Sequence, residues 1–375
     1  MSVSGPAHLR STPYSPLYPD GLETEWIDVF GCAVPVHCGD PQAEYAALRT
    51  AAAVMEFSML YRWDVSGPGA LDAVNSVFSR DLRRLGSRQI AYGVFVDDDG
   101  TMLDDVTVVA PSPEFVRVTG GNADADDALL REAAPAGVEV VQRRDDMAQL
   151  SIQGPKSREI LQTLTSADLS NRALRYYEFV PEVEIGAVRG QLNRMGFTAE
   201  LGYEFIAPAE CAERFGTALL EAGHDAGLRL AGASTVMTAR VEAGMVMADL
   251  EYDRTSTPFE CRLGWTVDFE KGPFHGREAL LVAKNQVRDR VVSVKIDGVE
   301  AAEFAPVTTG GVDVGVVTMA LPSPHLGGGT LGLARIRAEA AKVGNLLQGE
   351  CEGVPFSAEV VATPVFDPDR TRVRL

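Results

Sequence analysis

The residues with the clearest potential for chemistry are two acidic side chains in a segment that otherwise favours a strand. Asp104 and Asp105 interrupt the β-rich run Met102–Ala110, although Asp is depleted in strands. Side chains alternate along a strand, so the two carboxylates are expected on opposite faces, one of them against apolar neighbours. A carboxylate in that setting needs partners or is a functional group with a shifted pKa. The alternative is a solvated pair near the end of the strand.

A third carboxylate raises the same question. Glu204 alternates with Tyr203 and Phe205 in the strand candidate Tyr203–Ala207, so it faces away from these two aromatic residues. An acid in that position is able to accept hydrogen bonds from a neutral heterocycle with adjacent N–H donors. The alternative is a solvent-facing strand position. Three tyrosines beside the same elements are either core residues or part of a ligand platform: Tyr92, Tyr176 and Tyr177.

Several other kinds of site find no support in the sequence. Cys32, His37 and Cys38 lie close together, but no second ligand pair follows at zinc-site spacing, and we predict no metal site. The string Gly327–Gly332 fits the dinucleotide pattern. A β-rich run rather than a helix follows it, so it is interpreted as a connection between strands.

Composition restricts the partners and the compartment. The 375 residues carry 34 Lys and Arg against 53 Asp and Glu, a net charge of −19 that disfavours nucleic acid. No apolar run reaches membrane-spanning length, and the Pro-rich start does not resemble a signal peptide. Five scattered cysteines suit a reducing compartment. We therefore predict a cytoplasmic protein with neither a membrane nor a nucleic-acid partner.

The elements that must position the carboxylates alternate between helix and strand. A helix is predicted over Ala43–Met55 and another over Ser234–Met245. Asp98-Asp99-Gly100 joins two β-rich runs as a hairpin. From Val291 onward short β-rich runs are separated by Gly and Pro, which indicates a C-terminal β-barrel or sandwich of about ninety residues. The expected class is α+β, divided at residues 1–285 and 286–375.

Eleven short strings then occur in a fixed order along nearly the whole chain: Glu44-Tyr45-x-x-Leu48-Arg49; Gly67-Pro68-x-Ala70; Tyr92 followed by Asp99-Gly100-x-x-x-Asp104-Asp105; Gln153-Gly154-Pro155; Tyr176-Tyr177; Gly196-Phe197-Thr198 leading to Gly202-Tyr203-Glu204; Arg240-x-Glu242-Ala243-Gly244; Thr257-Pro258-Phe259-Glu260; Gly264-Trp265; Phe274-x-Gly276-Arg277-Glu278-Ala279-Leu280; and Ser323-Pro324-His325-Leu326. No single string is specific. In this order they resemble the tetrahydrofolate-dependent aminomethyltransferase superfamily, which contains the glycine-cleavage T-protein, the dimethylsulfoniopropionate demethylase and the aromatic O-demethylases.

The resemblance implies a three-domain fold around a central hole that holds the folate. Residues 1–285 would form two intertwined α+β domains, with the barrel at 286–375. It implies that Asp105 is the catalytic residue, near N5 and N10 of tetrahydrofolate, and that Glu204 grips the pterin ring. It further implies a group of other cofactor-binding residues, namely Tyr92, Asn122, Tyr177 and Phe197.

Departures from the T-protein pattern decide which activity is predicted. Met59 replaces a His, Ser234–Met237 lacks an Arg and an Asp, and Thr119 replaces an Asn. The arm Leu9–Ser15 resembles the start of the dimethylsulfoniopropionate demethylase. The prediction is therefore a demethylase that moves a methyl group from a small sulfonium, N-methyl or methyl ether donor to N5 of tetrahydrofolate.

Two alternatives remain open. One is a glycine-cleavage T-protein, whose partner is a lipoyl carrier protein. The other is a non-catalytic folate-binding protein of iron–sulfur assembly, although the stretch Lys271-Gly272-Pro273-Phe274 lacks the Cys of that group.

Overall fold

The computed structural model describes residues 6 and 8–375. Within them, the helices in chain order are α1 (Pro41–Thr50), α2 (Ala70–Val77), α3 (Ala123–Ala133), α4 (Ser157–Thr163), α5 (Ala212–Gly223), α6 (Ala233–Glu242) and α7 (Arg277–Ala283). The strands are β1 (Trp26–Val29), β2 (Cys32–Pro35), β3 (Ala52–Glu56), β4 (Tyr61–Ser66), β5 (Ile90–Val96), β6 (Met102–Ser112), β7 (Phe115–Gly120), β8 (Glu139–Gln142), β9 (Met147–Gln153), β10 (Phe179–Ile185), β11 (Val188–Asn193), β12 (Gly202–Pro208), β13 (Leu228–Leu230), β14 (Asp289–Asp297), β15 (Ala302–Thr309), β16 (Val312–Ser323), β17 (Gly329–Arg337), β18 (Leu346–Cys351) and β19 (Val354–Val361).

A six-stranded sheet has the order β10-β11-β12-β9-β3-β13, with only β13 parallel to its neighbour. One face carries apolar residues such as Ile152, Tyr203 and Phe205, which pack against Leu161 of α4 and Phe215 of α5. The opposite face is polar and buried, with Gln149, Ser151 and Gln153 on β9, Gln191 and Asn193 on β11, and Glu204 on β12. Strict alternation along the strands separates the two sets of side chains.

A five-stranded sheet has the order β5-β6-β7-β4-β8. Its apolar face, which includes Trp63, Val106 and Val118, packs against residues of α2 and α3. The other face carries Arg62, Asp105 and Arg117. Arg62 donates to the Gln149 side chain at 2.7 Å, and Arg117 Nη1 donates to Gln191 Oε1 at 3.2 Å. The two sheets therefore oppose their polar faces, and each covers its apolar face with its own helices.

The C-terminal region forms a closed barrel in the order β14-β17-β16-β15-β18-β19. Its interior is filled by small and β-branched residues such as Val294, Val307 and Ala334. On its outside, Leu331 and Leu333 pack in one cluster with Val94 of the β5–β6 hairpin. The predicted α+β class with a C-terminal β-barrel is confirmed.

Two predicted helices are too long. The helix expected over Ala43–Met55 ends at Thr50, and Ala52–Glu56 is instead strand β3. All five residues of β3 are buried, and the strand lies between β9 and β13, so the sheet overrides the helical propensity of the alanines. The helix expected over Ser234–Met245 ends at Glu242. No helix among the described residues is long and apolar enough to cross a membrane.

Candidate active site

Asp105 lies on β6, on the face of the five-stranded sheet that is directed away from α2 and α3. Tyr92 Oη, from the neighbouring strand β5, donates to Asp105 Oδ2 at 2.8 Å, and Tyr252 Oη donates to Oδ1. Burial raises the pKa of Asp105 to about 7, the charge of Asp104 adds to the rise, and the two tyrosine hydroxyls oppose it. This carboxyl is therefore poised to change its charge near neutral pH.

Asp104 points the opposite way, as alternation requires, and is 2 % exposed. Its Oδ2 accepts from the backbone N–H groups of Gly121 at 2.6 Å and Asn122 at 3.1 Å. It is also hydrogen-bonded to Asp126 of α3, which is completely buried. Burial and the charge of Asp104 raise the pKa of Asp126 well above its usual range, which favours its protonated form beside the Asp104 carboxyl. Asp104 therefore anchors α3 to β6.

Glu204 lies on the polar face of the six-stranded sheet and is 6 % exposed, so it is not a solvent-facing strand residue. Its neighbours Tyr203 and Phe205 lie in the core on the other face. Gln149 Nε2 donates to Glu204 Oε2 at 2.9 Å. Burial raises the pKa of Glu204 to about 7, and the charge of Arg62 opposes the rise. With few donors of its own, this buried carboxyl is suited to receive N–H groups from a ligand.

Tyr177 lies at the junction of the two sheets, because its carbonyl accepts from the N–H of Ile90 on β5 at 2.8 Å and its N–H donates to the carbonyl of Arg194, just after β11, at 2.9 Å. Burial raises the pKa of Tyr177, and the neighbouring Tyr176 and Glu204 add to the rise. Tyr177 in turn contributes to the raised pKa of Tyr92, which burial dominates. The ring centroids of Tyr176 and Tyr177 are 4.7 Å apart, edge to face. The structure thus brings Tyr92, Asp105, Tyr177 and Glu204 into one region between the sheets.

The other two predicted cofactor-binding residues have different surroundings. Phe197 is half-buried in the loop between β11 and β12, which is fixed by a bond from Thr198 Oγ1 to Gln153 Oε1 at 3.0 Å. Asn122 is the residue that caps α3, and its Nδ2 donates to the Leu103 carbonyl at 3.0 Å. Both polar atoms of the Asn122 side chain are thus used within the protein, on the side of β6 that carries Asp104.

Three residues near the carboxylates did not emerge from the sequence as site residues. Gln149 belongs to a visible alternation of polar residues with Ser151 and Gln153, which signals a polar strand face. Arg62 is a charged residue in a strand that is otherwise largely apolar. Tyr252 lies in an irregular segment after α6 and carried no signal. Within residues 6 and 8–375, no group of three or more His, Cys, Asp or Glu side chains is arranged to hold a metal ion.

Two of the departures from the T-protein pattern, at Met59 and Val236, lie in apolar surroundings. Met59 is 4 % exposed and packs with Cys32 and Val34. Val236 of α6 packs against a cluster that contains Leu48 and Met55. Neither position offers a charged or hydrogen-bonding side chain.

Comparison with known proteins identifies the family. The GCVT N-terminal domain matches residues 22–271, and the glycine cleavage T-protein C-terminal barrel domain matches residues 290–367. The chain is 35 % identical over 379 residues to the aminomethyltransferase of Streptomyces avermitilis, covering 98 % of this chain and 99 % of the relative. It is 33 % identical over 359 residues to the aminomethyltransferase of Caldanaerobacter subterraneus, covering 94 % and 95 %. For the Bacillus subtilis aminomethyltransferase the identity is 30 % over 368 residues, covering 96 % and 99 %.

A solved structure shows the same fold. The crystal structure of glycine cleavage system aminomethyltransferase T from Bartonella henselae matches with a TM-score of 0.86 and 22 % identity, covering 96 % of this chain and 98 % of the other. Both proteins therefore have the same fold, in which two sheets are followed by a C-terminal barrel. The chain belongs to the glycine cleavage T-protein family, and the superfamily recognised from the eleven strings is confirmed.

Proposed function

We propose that this protein is a tetrahydrofolate-dependent aminomethyltransferase of the glycine-cleavage type. It would take the aminomethyl group from a sulfur of a lipoyl carrier protein and pass its carbon to tetrahydrofolate as a methylene unit. The nitrogen would leave as ammonia and the lipoyl group as the dithiol. The observation that supports this most is the pair of carboxyls, Asp105 and Glu204, on the opposed polar faces. These two buried or strand-borne carboxyls belong to a chain that is similar to aminomethyltransferases over nearly all of its own length.

The residues present fit tetrahydrofolate. Its pterin ring is a neutral heterocycle with adjacent N–H donors. Glu204 is a buried carboxyl that, among the described residues, has one side-chain donor, Gln149. When bound, tetrahydrofolate supplies the nitrogen that receives the one-carbon unit. Tyr177, whose backbone is hydrogen-bonded to Ile90 of β5 and to Arg194 after β11, would contribute to the wall of the same site.

Asp105 would act on charge and protons at the reacting nitrogen. Tyr92 and Tyr252 hold one carboxylate oxygen each, so the carboxyl group has a fixed orientation before the ligand arrives. Its pKa of about 7 allows it to accept a proton and release it again near neutral pH. In buried surroundings its negative charge stabilises positive charge more strongly than it would in water.

A second candidate is methyl transfer from a small methylated donor, which the sequence alone favoured. The comparisons give no support to this activity and support the aminomethyltransferase alternative instead. One structural observation favours a donor other than an aminomethylated lipoyl carrier. Met59 and Val236 contribute only apolar surface at positions where the T-protein pattern has polar residues.

Product analysis separates these functions. The protein is incubated anaerobically with tetrahydrofolate and either an aminomethylated lipoyl carrier protein or a panel of sulfonium, N-methyl and methyl ether donors. We expect 5,10-methylene-tetrahydrofolate and ammonia with the carrier only. Formation of 5-methyl-tetrahydrofolate from a small donor, without ammonia, would establish the second candidate. Folate binding without turnover would point to the non-catalytic alternative, and no heat on titration with tetrahydrofolate would overturn all three.

A further inference from the structure

Glu204 is held by a chain of side chains that begins on the other sheet. Arg62 on β4 donates from Nε and Nη2 to Gln149 Oε1, at 3.1 and 2.7 Å. Gln149 on β9 donates from Nε2 to Glu204 Oε2 at 2.9 Å. Arg62 is completely buried and Gln149 is 2 % exposed, so water does not compete for these bonds.

The chemistry of the three groups fixes which atoms donate and which accept in these hydrogen bonds. A guanidinium has donors only, so the oxygen of the Gln149 amide must face Arg62. The amide nitrogen must then face Glu204, where it occupies one position on Oε2. Glu204 is therefore presented in one orientation, with Oε1 and the remaining lone pair of Oε2 available to a ligand.

The charge of Arg62 is not neutralised by a direct partner. No carboxylate among the described residues lies within ion-pair distance of it, and its other donors reach the backbone carbonyls of Leu60 and Phe57 at 3.1 and 2.9 Å. The other groups that face Arg62 are Arg117, Arg144 and Tyr14. Glu204 itself is faced by Arg62 and Tyr177. Glu204 is thus the acidic group that benefits from the buried positive charge.

We infer that Arg62 is a positioning residue for pterin recognition, which acts through Gln149 to orient Glu204 and whose buried charge favours the carboxylate form of this group toward the N–H donors of the ligand. The inference rests on the proposed binding of tetrahydrofolate by Glu204. Because Arg62 and Glu204 belong to different sheets, the arrangement also makes ligand recognition depend on how the two sheets are docked.

The test is the dissociation constant of tetrahydrofolate, measured anaerobically at pH 7 and pH 9. Arg62→Met removes the charge, so Glu204 should ionise only at higher pH. We expect affinity to fall by more than about tenfold at pH 7 and to recover only in part at pH 9, where Glu204 is ionised again but Gln149 still lacks the donors that orient it. Gln149→Leu removes the connecting amide and leaves the charge in place, so a loss of about tenfold is expected at both pH values. Arg144→Met is the matched control, because Arg144 is also buried but donates to the Phe30 carbonyl, and wild-type affinity is expected.

The outcomes separate the inference from the proposed function. If the wild-type protein does not bind tetrahydrofolate, the proposed function fails. If it binds and Arg62→Met loses affinity equally at both pH values, the charge of Arg62 does not act on Glu204 and the inference fails. If Arg62→Met does not fold, Gln149→Leu decides, and wild-type affinity in that variant overturns the inference.

Discussion

At the scale of single residues, Asp105 and Asp104 are neighbours with separate tasks. Asp105→Asn preserves shape and removes charge, so we expect folate affinity to remain within several-fold. Transfer should slow by about a hundredfold or more, the size of one lost electrostatic contact in a transition state. Asp104→Asn should act mainly on stability, because an amide there would turn a donor toward backbone N–H groups or toward Asp126. Single-turnover transfer by the two variants checks this, and an inactive Asp104→Asn beside an active Asp105→Asn would contradict the site assignment.

Glu204 is expected to cost the folded protein stability at neutral pH. Burial raises its pKa from an ordinary value of 4.5 to about 7, so the folded state favours the protonated carboxyl. The penalty is absent below pH 4.5, grows between pH 4.5 and 7, and is constant above pH 7. Glu204→Gln avoids it, so its advantage in the free energy of unfolding should be about 3 kcal/mol at pH 8 and about 1 kcal/mol at pH 5.5.

Urea denaturation at the two pH values measures this difference. Glu210→Gln, at an exposed position just after the same strand, serves as the control and should show no pH-dependent advantage. A Glu204→Gln variant that is less stable than the wild type at pH 8 would show that the carboxylate has stabilising partners which outweigh its burial. The same substitution should weaken folate binding, since the amide offers the ligand a donor in place of an acceptor.

At the scale of elements, two buried carboxyls lie where α3 contacts β6, and we predict that they share a proton. Asp126 is completely buried, and burial and the neighbouring carboxyl of Asp104 raise its pKa well above its usual range. Asp126→Asn supplies an amide donor to Asp104 and should retain most of the stability. Asp126→Ala leaves Asp104 buried with one partner fewer and should cost about 1–3 kcal/mol.

Thermal and urea unfolding of the two variants compare these costs, with Asp124→Ala as a control at an exposed position in the first turn of α3. Equal stability of Asp126→Asn and Asp126→Ala would mean that no hydrogen bond joins the side chains at positions 126 and 104. Gly120 shows how tightly they are packed, because a Cβ at this position would lie 2.7 Å from Asp126 Oδ2.

Elements with a strong local signal were predictable, and contacts between distant elements were not. The β5–β6 hairpin and the orientation of Glu204 follow from turn residues and alternation, which operate over a few neighbouring residues. The sequence predicts helix where strand β3 lies, because its alanines favour a helix and only the surrounding sheet enforces the strand. Asp126 lies among other acids in α3, and nothing local distinguishes it from Asp124. The assignment of Asp105 and Glu204 as site residues came from the resemblance and stays a prediction.

At the scale of the whole molecule, a buried ion pair joins α6 to the C-terminal barrel. Arg240 of α6 and Glu251 are both completely buried, with Arg240 Nη1 and Glu251 Oε2 2.5 Å apart. Thr318 of β16 donates to Glu251 Oε1 at 2.7 Å, which joins the barrel to the pair. The next residue, Tyr252, donates to Asp105. The barrel is therefore connected through Glu251 and Tyr252 to the carboxyl assigned to catalysis.

Arg240→Met should affect both stability and transfer. It leaves Glu251 buried without its cation, which costs about 3–5 kcal/mol, whereas replacing both residues by Met should recover much of that loss. Because Glu251 would then turn toward other partners, Tyr252 should lose its position on Asp105. Transfer should slow while the folate dissociation constant changes little.

Urea denaturation and single-turnover transfer test the two parts of this prediction separately. The exposed pair Arg189–Glu182 provides the control, since Arg189→Met should change the free energy of unfolding by less than about 1 kcal/mol. A single Arg240→Met variant as stable as the wild type would show that the pair contributes nothing. A destabilised variant with unchanged transfer would show that the barrel holds the fold together without influencing Asp105, because Tyr252 would then be positioned by its own packing.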